Sequence, residues 1–267
     1  MQTYKFTCPS CKVKLEASIP ETGVEQLAYD GVLEEVIAMS SFWGIKTKGY
    51  ASELQRSGNL VADMGEFLKE KPADILEKSE WVEVRLAKKW KKHFGTSDEF
   101  YIGNREYLYD NIKYNAFIDY HLKRLMPLMI VRNQRTLDVG CGIGTLVFIL
   151  CGQENEAVGY DINSWVVDFC NFKKKKYGLD AEFTTELPDL SRFDLVTALG
   201  MLEHLDTLQE FLLKLGKGMK TNARLFHVDD WGDQTISPMH FNNSKNIDNW
   251  LKDAGFTIKS ERWAVKL

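Results

Sequence analysis

No stretch of this 267-residue chain comes near the ~20 consecutive apolar residues that a bilayer span needs, so no membrane anchor is expected. The segment after Met1 also lacks the apolar core of a secretion signal. Cysteines are few and odd in number, five, which gives no obvious disulfide framework; a reducing, cytoplasmic setting is expected. Positive charge is not in excess. With 34 Lys and Arg against 38 Asp and Glu the formal charge is -4, and phosphate binding usually needs a clustered basic surface. No nucleic-acid partner is expected unless a local basic face exists. What remains is an ordinary globular composition, 44% hydrophobic and 27% charged, long enough for one large domain or two small ones.

The chain divides near residue 131. Residues 24–130 read mainly as helices. A first helix carries Val24, Leu27, Ala28, Leu33, Val36 and Ile37, with Thr22 and Glu25 spaced as a capping box. A second spans 60–68 behind Asn59 as cap, and a third spans about 80–94, with Val82, Leu86 and Trp90 on one stripe and Gly95 as its stop. The aromatic run from Phe100 to Tyr109 leads into a helix towards Pro127. Its rings fit core packing, and its Tyr and Arg side chains fit a lid over an acceptor pocket. Both uses can hold for different residues.

From residue 135 the period changes. Residues 135–139, 157–160, 193–199, 223–228 and 256–260 read as short buried strands, and 144–150, 164–177, 208–215 and 247–254 as helices between them. Such alternation predicts an α/β domain with a doubly wound, mostly parallel sheet covered on both faces. The expected division is 1–130, an N-terminal helical region, and 131–267, a cofactor-binding domain.

Leu137-Asp138-Val139-Gly140-Cys141-Gly142-Ile143-Gly144 reads as a strand, a glycine turn and a helix start. In open parallel sheets, ligands bind at such carboxyl ends. Glycine is required where the turn takes positive φ and where a ligand meets bare backbone. Asp161 ends the next strand, where a carboxylate can accept from both hydroxyls of a ribose. A dinucleotide site favours G-x-G-x-x-G, which brings a pyrophosphate to the helix N-terminus. Here Gly144 comes one residue early, Thr145 takes the dinucleotide position, and Asp138 stands just before the turn. That charge suits an ammonium and opposes a pyrophosphate. S-adenosylmethionine, with a sulfonium, an ammonium and no phosphate, fits better.

These residues resemble class I S-adenosylmethionine-dependent methyltransferases, over about the last half of the chain. Residues 137–144 are similar to the first motif of that family and Asp161 to the acid ending its second strand. Phe193 to Leu205, with the pair Glu203-His204, resembles the fourth-strand motif of the small-molecule, ubiquinone-type branch. The resemblance implies a seven-stranded, Rossmann-like sheet. It also implies cofactor contacts from Asp138, Gly140, Cys141, Gly142, Asp161, Ile162, Leu199 and Glu203. Two departures stand out. Residues 183–186 (Phe-Thr-Thr-Glu) offer no Asp for the adenine amino group, which leaves backbone groups and a threonine hydroxyl. Gly200 stands where the ubiquinone-type branch carries a second Glu of a metal site, so no metal is expected.

Methyl transfer is an in-line displacement, so the chief task is to align the acceptor with carbon and sulfur. A base is needed when the acceptor is a hydroxyl. His204 is the leading candidate, the alternative being a histidine that only fixes its loop. His240, in a His-Phe element before the last helix, and Asp229, after the fifth strand, complete the candidate catalytic set. His240 equally fits a docking role, and Asp229 or Asp230 an ordinary turn acid. The expected acceptor is a small molecule such as a sugar or specialised metabolite, methylated on oxygen. The alternatives are a non-catalytic cofactor-binding scaffold and an RNA or protein methyltransferase. Cys8-Pro9-Ser10-Cys11 resembles half a zinc ribbon without its second pair, which leaves two reduced thiols or a zinc held with ligands from elsewhere. Lys173 to Lys176 reads as a solvated helix end that complements the dipole.

Overall fold

A computed structural model describes residues 2–7, 14–19, 59–115, 125–128, 131–231 and 238–267. The expected helix around 24–37 and the Cys8/Cys11 pair lie outside them. The described chain opens with two strands that the hydrophobic pattern did not signal. These are β1 (Gln2–Thr7) and β2 (Lys14–Ile19), paired antiparallel from Gln2↔Ile19 to Thr7↔Lys14.

Five helices follow: α1 (Leu60–Leu68), α2 (Pro72–Glu80), α3 (Val82–Trp90), α4 (Ser97–Tyr101) and α5 (Glu106–Asn115). Asn59 stands at the start of α1, but its side chain makes no capping bond there. The helix expected over 80–94 proves to be α3 alone, since Trp81 ends α2 and begins α3. Pro72 in the first turn, where its missing N–H costs nothing, is the signal that marks α2. Gly95 is not the stop of α3, which closes on Lys91 in right-handed geometry. Thr96 and Glu99 then form a reciprocal capping box that launches α4.

The second half holds β3 (Arg135–Val139), α6 (Thr145–Cys151), β4 (Glu156–Tyr160), α7 (Ser164–Tyr177), β5 (Glu182–Thr184), β6 (Leu195–Leu199), α8 (Leu208–Gly218), β7 (Arg224–Val228), α9 (Ile247–Asp253), β8 (Phe256–Ser260) and β9 (Trp263–Lys266). The seven strands from β3 onward form one sheet in the order β5-β4-β3-β6-β7-β9-β8, parallel except around β9. From β3 the chain winds outward to β4 and β5, then returns to β6 on the other side. The winding therefore reverses at the β3–β6 boundary, and there the strand ends open a crevice.

Alternating side chains fill both faces. Phe148, Leu150, Leu195 and Phe226 pack with α6 and α7 on one side, while Leu137, Val196, Leu212 and Leu251 pack with α8 and α9 on the other. A third cluster joins the two halves of the chain: Met64, Ile75, Leu86, Leu108 and Ile112 pack against Ile143, Val166, Phe169 and Met239. Fully burying each such side chain stabilises by roughly 1.5–3 kcal/mol. Helices α1–α5 are therefore built onto the glycine turn and α7. Lys173 and Lys176 depart from a solvated helix end. Lys173 is buried with its ammonium by the Ile143 carbonyl, and Lys176 bridges to Asp63 and Glu66 of α1. Among the described residues, no helix is long and apolar enough to cross a membrane.

Candidate functional site

The crevice is set by the turn after β3. Gly140, Gly142 and Gly144 all take positive φ, at 68°, 50° and 79°. The turn is pinned to β4 by the N–H groups of Gly140 and Cys141, which donate to the Tyr160 carbonyl at 2.8 and 3.0 Å. Bare backbone here also admits protein. A Cβ on Gly142 would lie 2.4 Å from Asn111 Oδ1 of α5, and one on Gly140 would meet Met201 at 2.4 Å. Thr145, at the start of α6, donates to Asn115 Oδ1 at 2.7 Å. The glycine turn thus receives α5 directly.

Asp138 and Asp161 flank this turn, 4 % and 5 % exposed. The β3–β6 register sets Thr197 beside Asp138, and its hydroxyl donates to Asp138 Oδ1 at 2.7 Å. Burial raises the Asp138 carboxyl to about 7, Thr197 opposing and Asp161 adding to the rise. Asp161 accepts from the Gly142 N–H at 3.1 Å and the Asn163 N–H at 2.9 Å, one on each oxygen. Burial still raises it to about 6. Each oxygen keeps a second lone pair for a ligand hydroxyl. Two buried acids with raised pKa values favour a ligand that brings positive charge. The residues therefore fit S-adenosylmethionine.

Two cavities adjoin the turn. One is lined by Tyr160, Asp161, Ile162, Met201, Leu205 and Phe211, with Asp98 of α4 at its edge; its mostly apolar walls suit an adenosine. Thr184, a candidate adenine contact, spends its hydroxyl on Glu186, accepting from the N–H at 3.0 Å and donating to the carbonyl at 3.2 Å. The other cavity is lined by Asp138, Gly140, Cys141, Gly142, Leu199 and Glu203, and beyond them by His204, His240, Asp230, Asp110 and Glu83. Tyr101, Tyr107, Gly140 and His204 line both. The aromatic run accordingly divides its labour. Tyr101 and Tyr107 face the crevice, whereas Arg105 and Tyr109 bind Glu70 elsewhere.

His204 and His240 meet edge to face, with ring centroids 4.5 Å apart. Burial, then the neighbouring His240, pulls His204 down to about 3, and burial lowers His240 as well. The Tyr101 hydroxyl lies 2.7 Å from His204 Nδ1. Glu203 accepts from the Asp230 N–H at 3.0 Å and its carbonyl accepts from the Phe241 N–H at 2.7 Å, so this loop docks the segment carrying His240. Asp229 stands apart. It accepts from His227 Nδ1 at 2.6 Å and is absent from the described lining of either cavity. Sequence reasoning missed Asp110, Asn111 and Thr197, whose local patterns are those of ordinary helix and strand residues. Among the described residues, no cluster of three or more His, Cys, Asp or Glu could hold a metal ion.

Residues 137–225 match a family described as a methyltransferase domain. A ubiquinone biosynthesis O-methyltransferase of Pelagibacter ubique is 27% identical over 120 residues, 43% of this chain and 49% of that protein. A tRNA U34 carboxymethyltransferase of Shewanella woodyi is 32% identical over 117 residues, 40% of this chain and 35% of that protein. The chain thus spans half or less of the length of these relatives. Among solved structures, a magnesium protoporphyrin IX methyltransferase from Synechocystis, with bound S-adenosylhomocysteine, is 22% identical. The likeness has a TM-score of 0.43 and covers 54% of this chain and 78% of that one. The matched segment holds the glycine turn, Asp138, Asp161 and the Glu203-His204 pair, and it belongs to the class I S-adenosylmethionine-dependent methyltransferases.

Proposed function

We propose that the whole chain is a methyltransferase that moves the methyl group of S-adenosylmethionine to a small-molecule acceptor, with oxygen as the methylated atom. The observation that carries this reading is the pair of buried carboxylates, Asp138 and Asp161, on either side of a positive-φ glycine turn. When bound, S-adenosylmethionine supplies a methyl group already activated by its sulfonium. Asp138 then holds the ammonium, Asp161 the ribose hydroxyls, and Ile162 with Met201 the adenine. The backbone of Gly140, Cys141 and Gly142, with Leu199 and Glu203, closes around the methionine part. His204 and His240 contact the acceptor, while Asp229, bound to His227 and outside the described lining of both cavities, takes no part in the transfer. In this reading residues 131–267 form the cofactor domain, and the helices within residues 1–130 select the acceptor.

The carboxylates of Glu83, Asp110 and Asp230 in the cavity with Asp138 and His240 support a small acceptor, since they repel a phosphate chain. A relative named for tRNA keeps RNA as the second reading. Calorimetry with S-adenosylhomocysteine and with NAD tests the cofactor: binding of the first and not the second is expected. Labelled S-adenosylmethionine offered to metabolite and RNA pools tests the acceptor, and label appearing only in RNA would overturn the small-molecule reading. His204→Ala is expected to slow transfer more than it weakens cofactor binding. Unchanged turnover in that variant removes His204 from the catalytic set.

A further inference from the structure

Tyr101 lies outside the matched segment, at the end of a five-residue helix, and yet its position is held at several points. The Asn163 side-chain amide donates to the Tyr101 carbonyl at 2.8 Å and to the Asn104 carbonyl at 3.0 Å. The backbone N–H of the same Asn163 supports Asp161 at 2.9 Å. At the other end of α4, Ser97 donates through its N–H and its hydroxyl to the two oxygens of Asp206, at 3.0 and 3.1 Å. Asp206 follows the Glu203-His204 loop by two residues. Helix α4 is therefore strapped across the two strand-end loops that carry the cofactor acid and the candidate catalytic histidine.

The Tyr101 ring is buried, 8 % exposed, and packs edge-on to Phe100, Tyr107 and His204 with centroids 5.2–5.3 Å apart. Burial keeps the proton on its oxygen, its pKa lying well above the usual phenol value. The His204 ring is held neutral, as its pKa is pulled down. A neutral imidazole has one N–H and one lone pair, and the hydrogen bond made by one nitrogen decides which it is.

We propose that Tyr101 is a positioning residue: its hydroxyl donates to His204 Nδ1, fixes the Nε2–H tautomer, and ties α4 to the His204 loop where both residues line the two cavities. His204 then offers an N–H donor, not a free lone pair, from Nε2. Its task is to orient the acceptor by a hydrogen bond. This inference deepens the methyltransferase reading and rests on it for the meaning of the site. The hydrogen bond itself stands without that reading.

The test is nitrogen-15 spectroscopy of the histidine rings in the full chain near neutral pH, with His204 assigned by the signals lost in His204→Gln. The wild type is expected to show a neutral ring protonated on Nε2, and Tyr101→Phe a mixture of tautomers. Tyr101→Phe keeps the packed ring, and S-adenosylhomocysteine is expected to leave it about tenfold faster, as the loss of one buried hydrogen bond predicts. A wild-type His204 protonated on Nδ1, or as the imidazolium, overturns the proposal whatever the variant does. So does a Tyr101→Phe variant with the tautomer and the release rate both unchanged. Failure of the wild type to bind S-adenosylhomocysteine overturns the methyltransferase reading instead, and the ring signals still decide the role of Tyr101.

Discussion

The half of the chain from β3 onward and the helices α1–α5 reach the same crevice by different routes. In the former, each contribution follows from a local rule. A strand end presents Asp138, a turn demands glycine, and the next strand end presents Asp161. In the helices the aromatic run offers several Tyr and Arg side chains without saying which face the crevice, and nothing local marks Asn111; long-range contacts place Tyr101, Tyr107 and Asn111 there. The sheet half is specified by motif and the helices α1–α5 by packing. The two are joined through a shared core around Phe169.

That joint gives the largest expected effect. Phe169 is fully buried and touches Phe67 and Phe172 at ring-centroid distances of 5.4 and 6.1 Å. Phe169→Ala should cost about 3–5 kcal/mol and lower the melting temperature in a single transition seen by every probe. If α1–α5 melt separately from the sheet in calorimetry, the two regions are independent and the comparison breaks.

Next comes Asp161→Ala. It leaves the Gly142 and Asn163 N–H groups without their carboxylate and removes the ribose partner. Affinity for S-adenosylhomocysteine should drop by about 100-fold in titration calorimetry. A drop below threefold would show that the motif half does not hold the cofactor through this acid.

The pH dependence should be smaller. Asp138 and Asp161 have raised folded pKa values, about 7 and about 6, so folding favours their protonated forms. Their contribution to stability falls as pH rises from about 4 to about 7, because the unfolded chain has already lost those protons. A bound cation reverses this preference. Affinity for S-adenosylmethionine should therefore rise between about pH 5.5 and about pH 7.5, several-fold, and Asp138→Asn should flatten the slope. An equal slope in that variant assigns the titration to another group.

The smallest effect is expected at the helix surface. Lys89 pairs with Glu106 at 2.7 Å with half of its side chain exposed. Lys89→Ala should change stability by less than about 1 kcal/mol in urea titration and leave cofactor affinity unchanged. A large loss of affinity would mean that the outer face of α3 and α5 communicates with the crevice.

Much of the fold was legible before the structure. The five strands read from the pattern all occur within two residues of their expected bounds: β3, β4, β6 and β7 because strands inside a sheet are largely apolar runs, and the antiparallel edge strand β8 because Gly255 marks the end of the helix before it. β5 and β9 escaped because they are short, three and four residues, too few to establish a period. α2 escaped because its apolar residues are few; only Ile75 and Ser79 are buried. In the crevice, Asp138, Asp161 and His204 came from motif and position. Asp229 follows from the same strand-end position, but its carboxylate accepts from His227 and is absent from the described cavity walls.

By itself the sequence determined the sheet, the glycine turn and the chemistry of the cofactor. Spacing along a strand and sign of charge are local properties, and a pyrophosphate and a sulfonium demand opposite ones. Only the tertiary structure decided what stands over that turn. Asn111 lies 31 residues from Gly142, and Tyr101 lies 103 from His204. No periodicity links such pairs; they meet because the buried apolar faces of α1–α5 pack in one cluster with Ile143, Val166, Phe169 and Met239.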